Sequence, residues 1–188
     1  MRYWRANPYH QRVWVRLWFM LALTALLWPF RLMAFEPLKP VAYVDLDRFM
    51  GAWYVIASTP TFLDRESFNA IEHYELAGDG TVSTTFTFRK GSADGPQRTY
   101  RPRGFIKPDG SNAVWGMQFI WPIKADYQIV YLDESYSRVI VAREKRDLVW
   151  LMARQPNIPD EEYQALVGRI VALGYDTADL RLTPQVWD

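Results

Sequence analysis

From Val41 onward the apolar residues fall in short alternating runs separated by turn residues, the spacing of strands that show one face to a core and the other to water. The runs predict strands near 52–59, 69–76, 81–88, 98–107, 113–120, 126–132, 137–143 and 147–153. Between them stand Gly78-Asp79-Gly80, Gly91 with Asp94-Gly95-Pro96, Pro108-Asp109-Gly110, Asp133-Glu134-Ser135 and Lys145-Arg146-Asp147, all of the composition of hairpin connections. Eight strands joined by hairpins make an up-and-down meander. Such a meander can close on itself, which removes exposed edges and leaves room inside for one small ligand. After Pro156 the period changes to that of a helix, with Tyr163, Leu166, Val167, Ile170 and Val171 on one stripe from Asp160 to Leu173. Asp160 is the expected cap, Glu161 and Glu162 suit the positive end, and Gly174 is placed to stop the helix. The predicted fold is all-β: an eight-stranded antiparallel barrel with one C-terminal helix packed outside.

Ahead of Val41 the pattern differs. Residues 1–16 are basic, and Leu17 to Trp28 is an apolar stretch interrupted by Thr24 and ended by Pro29 and Arg31, the layout of an export signal. As a helix it would span ~18 Å at ~1.5 Å per residue, short of the ~30 Å hydrocarbon layer. A full span would need Arg16 and Arg31 to snorkel. Leu32-Met33-Ala34 also puts a large side chain where a cleavage site wants a small one. Three readings stand: a cleaved signal peptide, a retained membrane anchor, or a buried helix of the domain. Under the first two the basic flank stays cytoplasmic and the domain is extracytoplasmic, in a periplasm or cell envelope. The expected organisation is a signal or anchor over 1–34, a linker over 35–43, the barrel over 44–183 and a tail over 184–188.

Charge and chemistry narrow the function. Residues 1–34 hold five arginines and no acid, so the remainder carries 17 bases against 21 acids. A mildly acidic domain lacks the electrostatic footprint for phosphate backbones, and nucleic acid is not an expected partner. The absence of cysteine excludes disulfides, thiolate chemistry and sulfur-ligated zinc. His10 lies in the leader and His73 stands alone in a strand, which leaves no histidine pair for a metal. No Gly-x-Ser-x-Gly, His-Glu-x-x-His or phosphate-cradling glycine loop occurs. Ser92 lacks a triad, and Asp64, Glu66 and Glu72 could in principle supply paired carboxylates, but charged residues near strand ends usually form solvated surface. The expectation is a protein that is not an enzyme and needs no cofactor, with a cofactor-free enzyme as the lesser alternative. No coiled-coil heptad indicates an oligomeric state.

Binding is better supported. Every second residue of a barrel strand faces the interior, and the candidates to line it are Phe86, Phe88, Phe105, Trp115, Met117, Phe119, Trp121, Tyr127, Ile129 and Tyr131. Neighbours of opposite parity exclude one another, so only some of these can line a cavity. Trp115, Met117, Phe119 and Trp121 alternate along one face, an aromatic stripe that suits the flat walls of a cavity better than an aliphatic core. On that reading Trp115→Ala weakens acyl binding at little cost in stability. In a barrel filled by its own side chains the same change would destabilise the fold. Glu72 shares a face with Ala70, Tyr74 and Leu76. Either that face points outward under the helix, or Glu72 lies inside and meets a ligand head group. Inside, its pKa would rise with desolvation, or it would pair with Arg101 or Arg103.

The first strand opens Phe49-Met50-Gly51-Ala52-Trp53-Tyr54, and this Phe-x-Gly-x-Trp-Tyr run resembles the first signature of the lipocalin family. Asp126-Tyr127, opening the sixth strand, resembles the family's Thr-Asp-Tyr region, and Arg154 resembles the arginine that closes its eighth strand. Tyr127 to Pro159 is most similar to bacterial lipocalins and apolipoprotein D, and the resemblance covers about 44 to 183. It implies a closed calyx whose fold-closing residues are Gly51, Trp53, Asp126, Tyr127 and Arg154. Gly51 would let the chain bend into the strand, and Arg154 would stack on the Trp53 indole, an interaction worth ~0.5–2 kcal/mol. It also implies binding and carriage of a small apolar ligand, a fatty acid or lysophospholipid, with exchange at a membrane. The rival is a membrane-tethered structural module. Two departures are visible. Outer-membrane relatives are commonly lipoproteins attached through a cysteine, which this chain lacks, so lipidation of that kind is not expected. Trp53-Tyr54 is followed by Val55-Ile56-Ala57-Ser58 where the subgroup has an acid, an apolar pair and an arginine.

Overall fold

In the computed structural model, which describes residues 36–187, the first helix is a single turn, α1 (Leu46–Phe49), capped by Asp45, whose side chain accepts a hydrogen bond from the Arg48 amide. The basic leader and the Leu17–Trp28 stretch lie outside the described residues. The strands follow as β1 (Gly51–Ser58), β2 (Ser67–Leu76), β3 (Val82–Lys90), β4 (Gln97–Tyr100), β5 (Arg103–Ile106), β6 (Val114–Ile120), β7 (Ile123–Leu132), β8 (Arg138–Ala142) and β9 (Val149–Ala153). Then come α2 (Asp160–Ala172), a 3-10 turn (Thr177–Asp179) and β10 (Arg181–Leu182).

Each barrel strand pairs antiparallel with the next, and β9 returns to β1 from Tyr54↔Ala153 to Ser58↔Trp150, which closes an eight-stranded antiparallel barrel. The fourth of the eight is in two pieces. The sequence predicts one strand over 98–107, but Pro102 has no N–H to give a ladder, and the chain breaks there into β4 and β5. The Pro102 carbonyl still accepts from the Thr84 amide at 3.1 Å.

Bulges in β1 and β7 decide which of their residues face inward. In β1 the register slips between Val55 and Ala57, so Trp53 and Val55 point into the barrel while Ile56 and Ala57 both join the outer layer under the helix. In β7 it slips between Ile129 and Tyr131, which leaves Tyr127 and Ile129 inside and turns Val130 and Tyr131 outward. Helix α2 lays Leu166 and Ile170 on this outer layer against Ile140, Leu151 and their neighbours. Burial of each such side chain contributes ~1.5–3 kcal/mol. A fork from Arg138 to Glu162, at 2.9 and 3.0 Å, ties the helix to β8. The helix starts at Asp160 itself, after Pro159, so Asp160 is the first helical residue rather than the cap; its charge still sits with Glu161 and Glu162 in the first turn. Gly174 (φ +87°) ends it, with its amide on the Val171 carbonyl.

The end of the chain repairs a gap. The β1–β2 ladder runs only from Gly51↔Tyr74 to Tyr54↔Ile71, and beyond it the two strands diverge. Residues 181–187 fill the seam. β10 pairs with Ala57 and Ser58, the Thr183 amide donates to Ile56 O at 2.9 Å, and the Asn69 amide donates to Pro184 O at 2.8 Å. The Asn69 side chain (φ +50°) holds both the carbonyl and the amide of Val186 at 2.7 Å, and Gln185 Nε2 reaches Val55 O and Ala70 O. At the other end of the chain, Leu38 is buried under the helix side and the Val41 amide donates to Ile129 O.

Candidate ligand-binding cavity

One end of the barrel is solid. Phe49 brings its ring to 5.2 Å from Trp53, 5.6 Å from Tyr74 and 5.6 Å from Trp115, and all four residues are fully buried. The Trp53 indole donates to Phe49 O at 2.9 Å. Arg154 covers the outside of this plug. Its guanidinium lies 3.9 Å over the Trp53 ring and donates to the carbonyls of Arg48, Phe49, Met50 and Ala52, satisfying the backbone of α1 and the start of β1. Gly51 (φ +95°) makes the bend into β1, and a Cβ there would stand 3.4 Å from the Arg154 guanidinium.

The other end opens into a cavity of about 220 Å³. Phe86, Tyr100, Met117, Tyr127 and Trp150 wall it, Glu72 sits at its inner end, and Phe62, Leu63 and Phe119 stand at the mouth. The position of Glu72 follows from register: it lies opposite Trp53 on β1 and Phe86 on β3, one step along its face from Tyr74, which belongs to the plug. Glu72 is 8% exposed and lines the cavity, which places its side chain inside the barrel, and its hydrogen-bond partner is a tyrosine rather than an arginine. Tyr74 donates to Glu72 Oε2, and Tyr127 meets Tyr74 hydroxyl to hydroxyl at 2.5 Å, its ring stacked between Trp115 and Trp150. Arg103 is outside, paired with Asp79. Burial pushes the Glu72 carboxyl from its ordinary 4.5 up to about 7, against the lowering effect of the Tyr74 bond and with help from the nearby Asp64 charge. Burial also drives both tyrosines upward, so they stay neutral donors.

Of the residues singled out from sequence, the structure brings Glu72, Phe86, Met117, Phe119 and Tyr127 to the cavity wall. Phe88, Trp115 and Ile129 are packed in the barrel core and do not line the cavity. Trp115 is the main correction. It touches no open space; Phe49, Tyr74 and Tyr127 surround it, Nε1 donates to Asn112 O at 2.7 Å, and Gly104 opposite lacks the Cβ that would press on its ring at 3.2 Å. Phe105, Trp121 and Tyr131 do not point into the barrel. Because Gly104 takes the inward position of β5, Phe105 faces out, under the Lys124 ammonium at 3.4 Å. Trp121 lies past the end of β6, 82% exposed in the turn to β7. Tyr131 is turned outward by the β7 bulge and lies beneath the Arg169 guanidinium at 4.4 Å. Asp126, at the edge of the cavity, binds the Glu144 amide and the Gln128 side chain, a bond set that joins β7 to the β8–β9 turn. Sequence reasoning missed Tyr100 and Trp150, since β4 and β9 show no clear alternation, and Phe62 and Leu63, which lie in a loop with no period to read.

A meander barrel plugged at one end and open to an apolar cavity at the other is a calyx, the architecture of proteins that hold small hydrophobic ligands inside a barrel. The chain matches the model of the lipocalin-like domain over residues 44–185 and belongs to the lipocalin family. By sequence it is 29% identical over 166 residues to temperature-induced lipocalin-1 of Arabidopsis thaliana, covering 80% of this chain and 84% of that one. It is 26% identical over 136 residues to the outer membrane lipoprotein Blc of Escherichia coli (strain K12), covering 71% and 75%. Among solved structures, insecticyanin from the tobacco hornworm Manduca sexta shares the fold with a TM-score of 0.58 at 16% identity, over 78% of this chain and 83% of that one.

Proposed function

We propose that the protein binds a small amphiphile of the fatty-acid or lysophospholipid kind in its cavity and carries it between or near membranes at a cell envelope. The observation that carries this reading is the cavity itself: aromatic walls around about 220 Å³ of space that the protein's own side chains leave open. That volume is below the ~300–1,000 Å³ of pockets for drug-sized ligands, so it suits a small molecule or one end of a longer one. Exchange with a membrane is supported by the mouth, where Phe62, Ile120, Trp121 and Ile123 are all strongly exposed. The basic leader with its apolar stretch supports an extracytoplasmic location, as an export signal or an anchor. His73 is on the outer face, paired with Glu75, so the imidazole of the described domain takes no part in the cavity, and binding rather than catalysis is the reading it favours.

The test is native mass spectrometry of the protein purified from its own host, with extraction of whatever lipid comes with it. A co-purifying amphiphile, exchangeable for an added one at one per barrel, is the expected result. A protein that arrives empty and takes up no amphiphile would favour the tethered structural module.

A further inference from the structure

The inner end of the cavity carries a polar group that the fold does not use up. Glu72 is more than nine-tenths buried, and among the described residues its hydrogen bond comes from Tyr74 and goes to Oε2. Oε1 has no hydrogen-bond partner among the described residues, and the residue lines the cavity. The other two carboxylates of the wall are engaged by the protein. Asp64 Oδ1 accepts from the amide and hydroxyl of Thr61, both at 2.6 Å, and Asp126 Oδ2 from Glu144 N and Gln128 Nε2. The cation of the wall, Arg143, pairs with Asp147 at 3.3 Å through Nη1, while its buried Nε has no hydrogen-bond partner among the described residues. What remains at the floor is one carboxylate oxygen, in a cavity walled by the rings of Phe86, Tyr127 and Trp150.

A buried carboxylate with one oxygen left unpaired costs free energy that a bound cation would recover, and aromatic faces in the same cavity add cation–π attraction for an ammonium group. A carboxylate or phosphate brought to the same place would meet like charge. We infer that the cavity selects amphiphiles bearing a cationic nitrogen, with the ammonium group seated on Glu72 Oε1 between aromatic walls. This rests on the carrier reading above and narrows it: an ammonium-bearing lipid is accepted, and a free fatty-acid anion is not. Around Glu72 are Tyr74, which donates to it from its own strand, and, lining the same cavity, Tyr127 and Asp126 on β7, Tyr100 on β4, Asp64 on the loop before β2 and Arg143 after β8. Of these, Tyr74 and Tyr127 stay neutral, and Asp64 adds negative charge that favours a cation.

Three probes of equal chain length separate the alternatives by titration calorimetry: decyltrimethylammonium, decanol and decanoate. At pH 8 the wild type is expected to bind the ammonium at least tenfold more tightly than the alcohol, and decanoate most weakly. At pH 5.5, with Glu72 protonated, the preference for ammonium over alcohol should shrink several-fold. In Glu72→Gln it should fall close to one at both pH values. Equal affinities for the ammonium and the alcohol at pH 8, or a preference that survives in Glu72→Gln, would overturn the inference while leaving the carrier reading standing. If the wild type binds none of the three, the carrier reading fails and the inference with it. Should Glu72→Gln not fold, the pH dependence of the wild-type preference decides alone: a preference unchanged between pH 5.5 and 8 overturns the inference.

Discussion

At the scale of single residues, burial rather than residue type separates wall from core. Trp115 has the aromatic character of a cavity wall, yet it is fully enclosed by three rings and its indole N–H is satisfied. Trp115→Ala is therefore expected to cost ~3–5 kcal/mol, read as a lowered urea midpoint at unchanged slope; a loss under ~1 kcal/mol would place the ring beside open space after all. Glu72 behaves in the opposite sense to a surface acid. Its carboxyl titrates at about 7 in the folded protein against an ordinary 4.5, so between those values the native state holds a proton that the unfolded chain releases. Stability then falls as pH rises through that window and levels off above about 7, by ~3 kcal/mol at ~1.4 kcal/mol per pH unit. Glu72→Gln lacks this loss and keeps an acceptor for Tyr74. Urea midpoints of variant and wild type should differ little at pH 4.5, and the variant should be the more stable at pH 8. A difference that does not change with pH would show that Glu72 is not the group titrating.

At the scale of elements, small irregularities in regular strands have large consequences. The single extra residue in β7 keeps Tyr127 in the barrel and sends Tyr131 to the helix. The proline in the fourth strand breaks it and leaves β4 paired with β3 alone. The chain's end acts as a further strand for the seam between β1 and β2. Asn69→Ala removes both side-chain bonds to Val186 and puts a Cβ residue without local hydrogen bonds at positive φ. Hydrogen exchange should accelerate at the Thr183 and Val186 amides and at Asn69's own position, with the β8–β9 amides unaffected. Uniform acceleration through the barrel would mean that the strap is part of the global fold rather than a local closure.

At the scale of the molecule, the two ends of the barrel have different tasks. The closed end is held by one guanidinium that stacks on an indole and donates to five carbonyls. Lysine cannot make that fork, so Arg154→Lys is expected to lower stability by ~1–3 kcal/mol while binding by the folded protein stays intact. The open end carries the exposed apolar residues of the β6–β7 tip beside Lys124, a combination suited to an interface of apolar chains and anionic head groups. Trp121→Ser combined with Ile123→Ser should slow transfer of a fluorescent acyl ligand to anionic vesicles several-fold, and leave its affinity in solution unchanged because neither residue lines the cavity. Unchanged transfer would remove the tip from the exchange route.

Much of this architecture is legible in the order of residues. The period of two with turn residues between runs is a local property, so the eight-strand meander, its hairpins and the outer helix can be read directly, and the Gly51-x-Trp53 opening with Arg154 marks the closed end. What alternation cannot supply is the phase of a strand after an irregularity. A bulge shifts every later side chain to the other face, which is why Tyr131 reads as inward and lies outside. Nor does the period of a strand say whether an inward ring meets another ring or a void. That depends on side chains brought together from distant positions: Phe49 and Gly104 make room for and then enclose Trp115, and Tyr74 and Tyr127 meet only when the barrel closes. The sequence alone determined the class of fold and the end at which it shuts. The tertiary structure alone decided that Glu72 faces inward, because a carboxylate's side of a sheet is set by register and bulges, and its ionisation by burial among residues far apart in the chain.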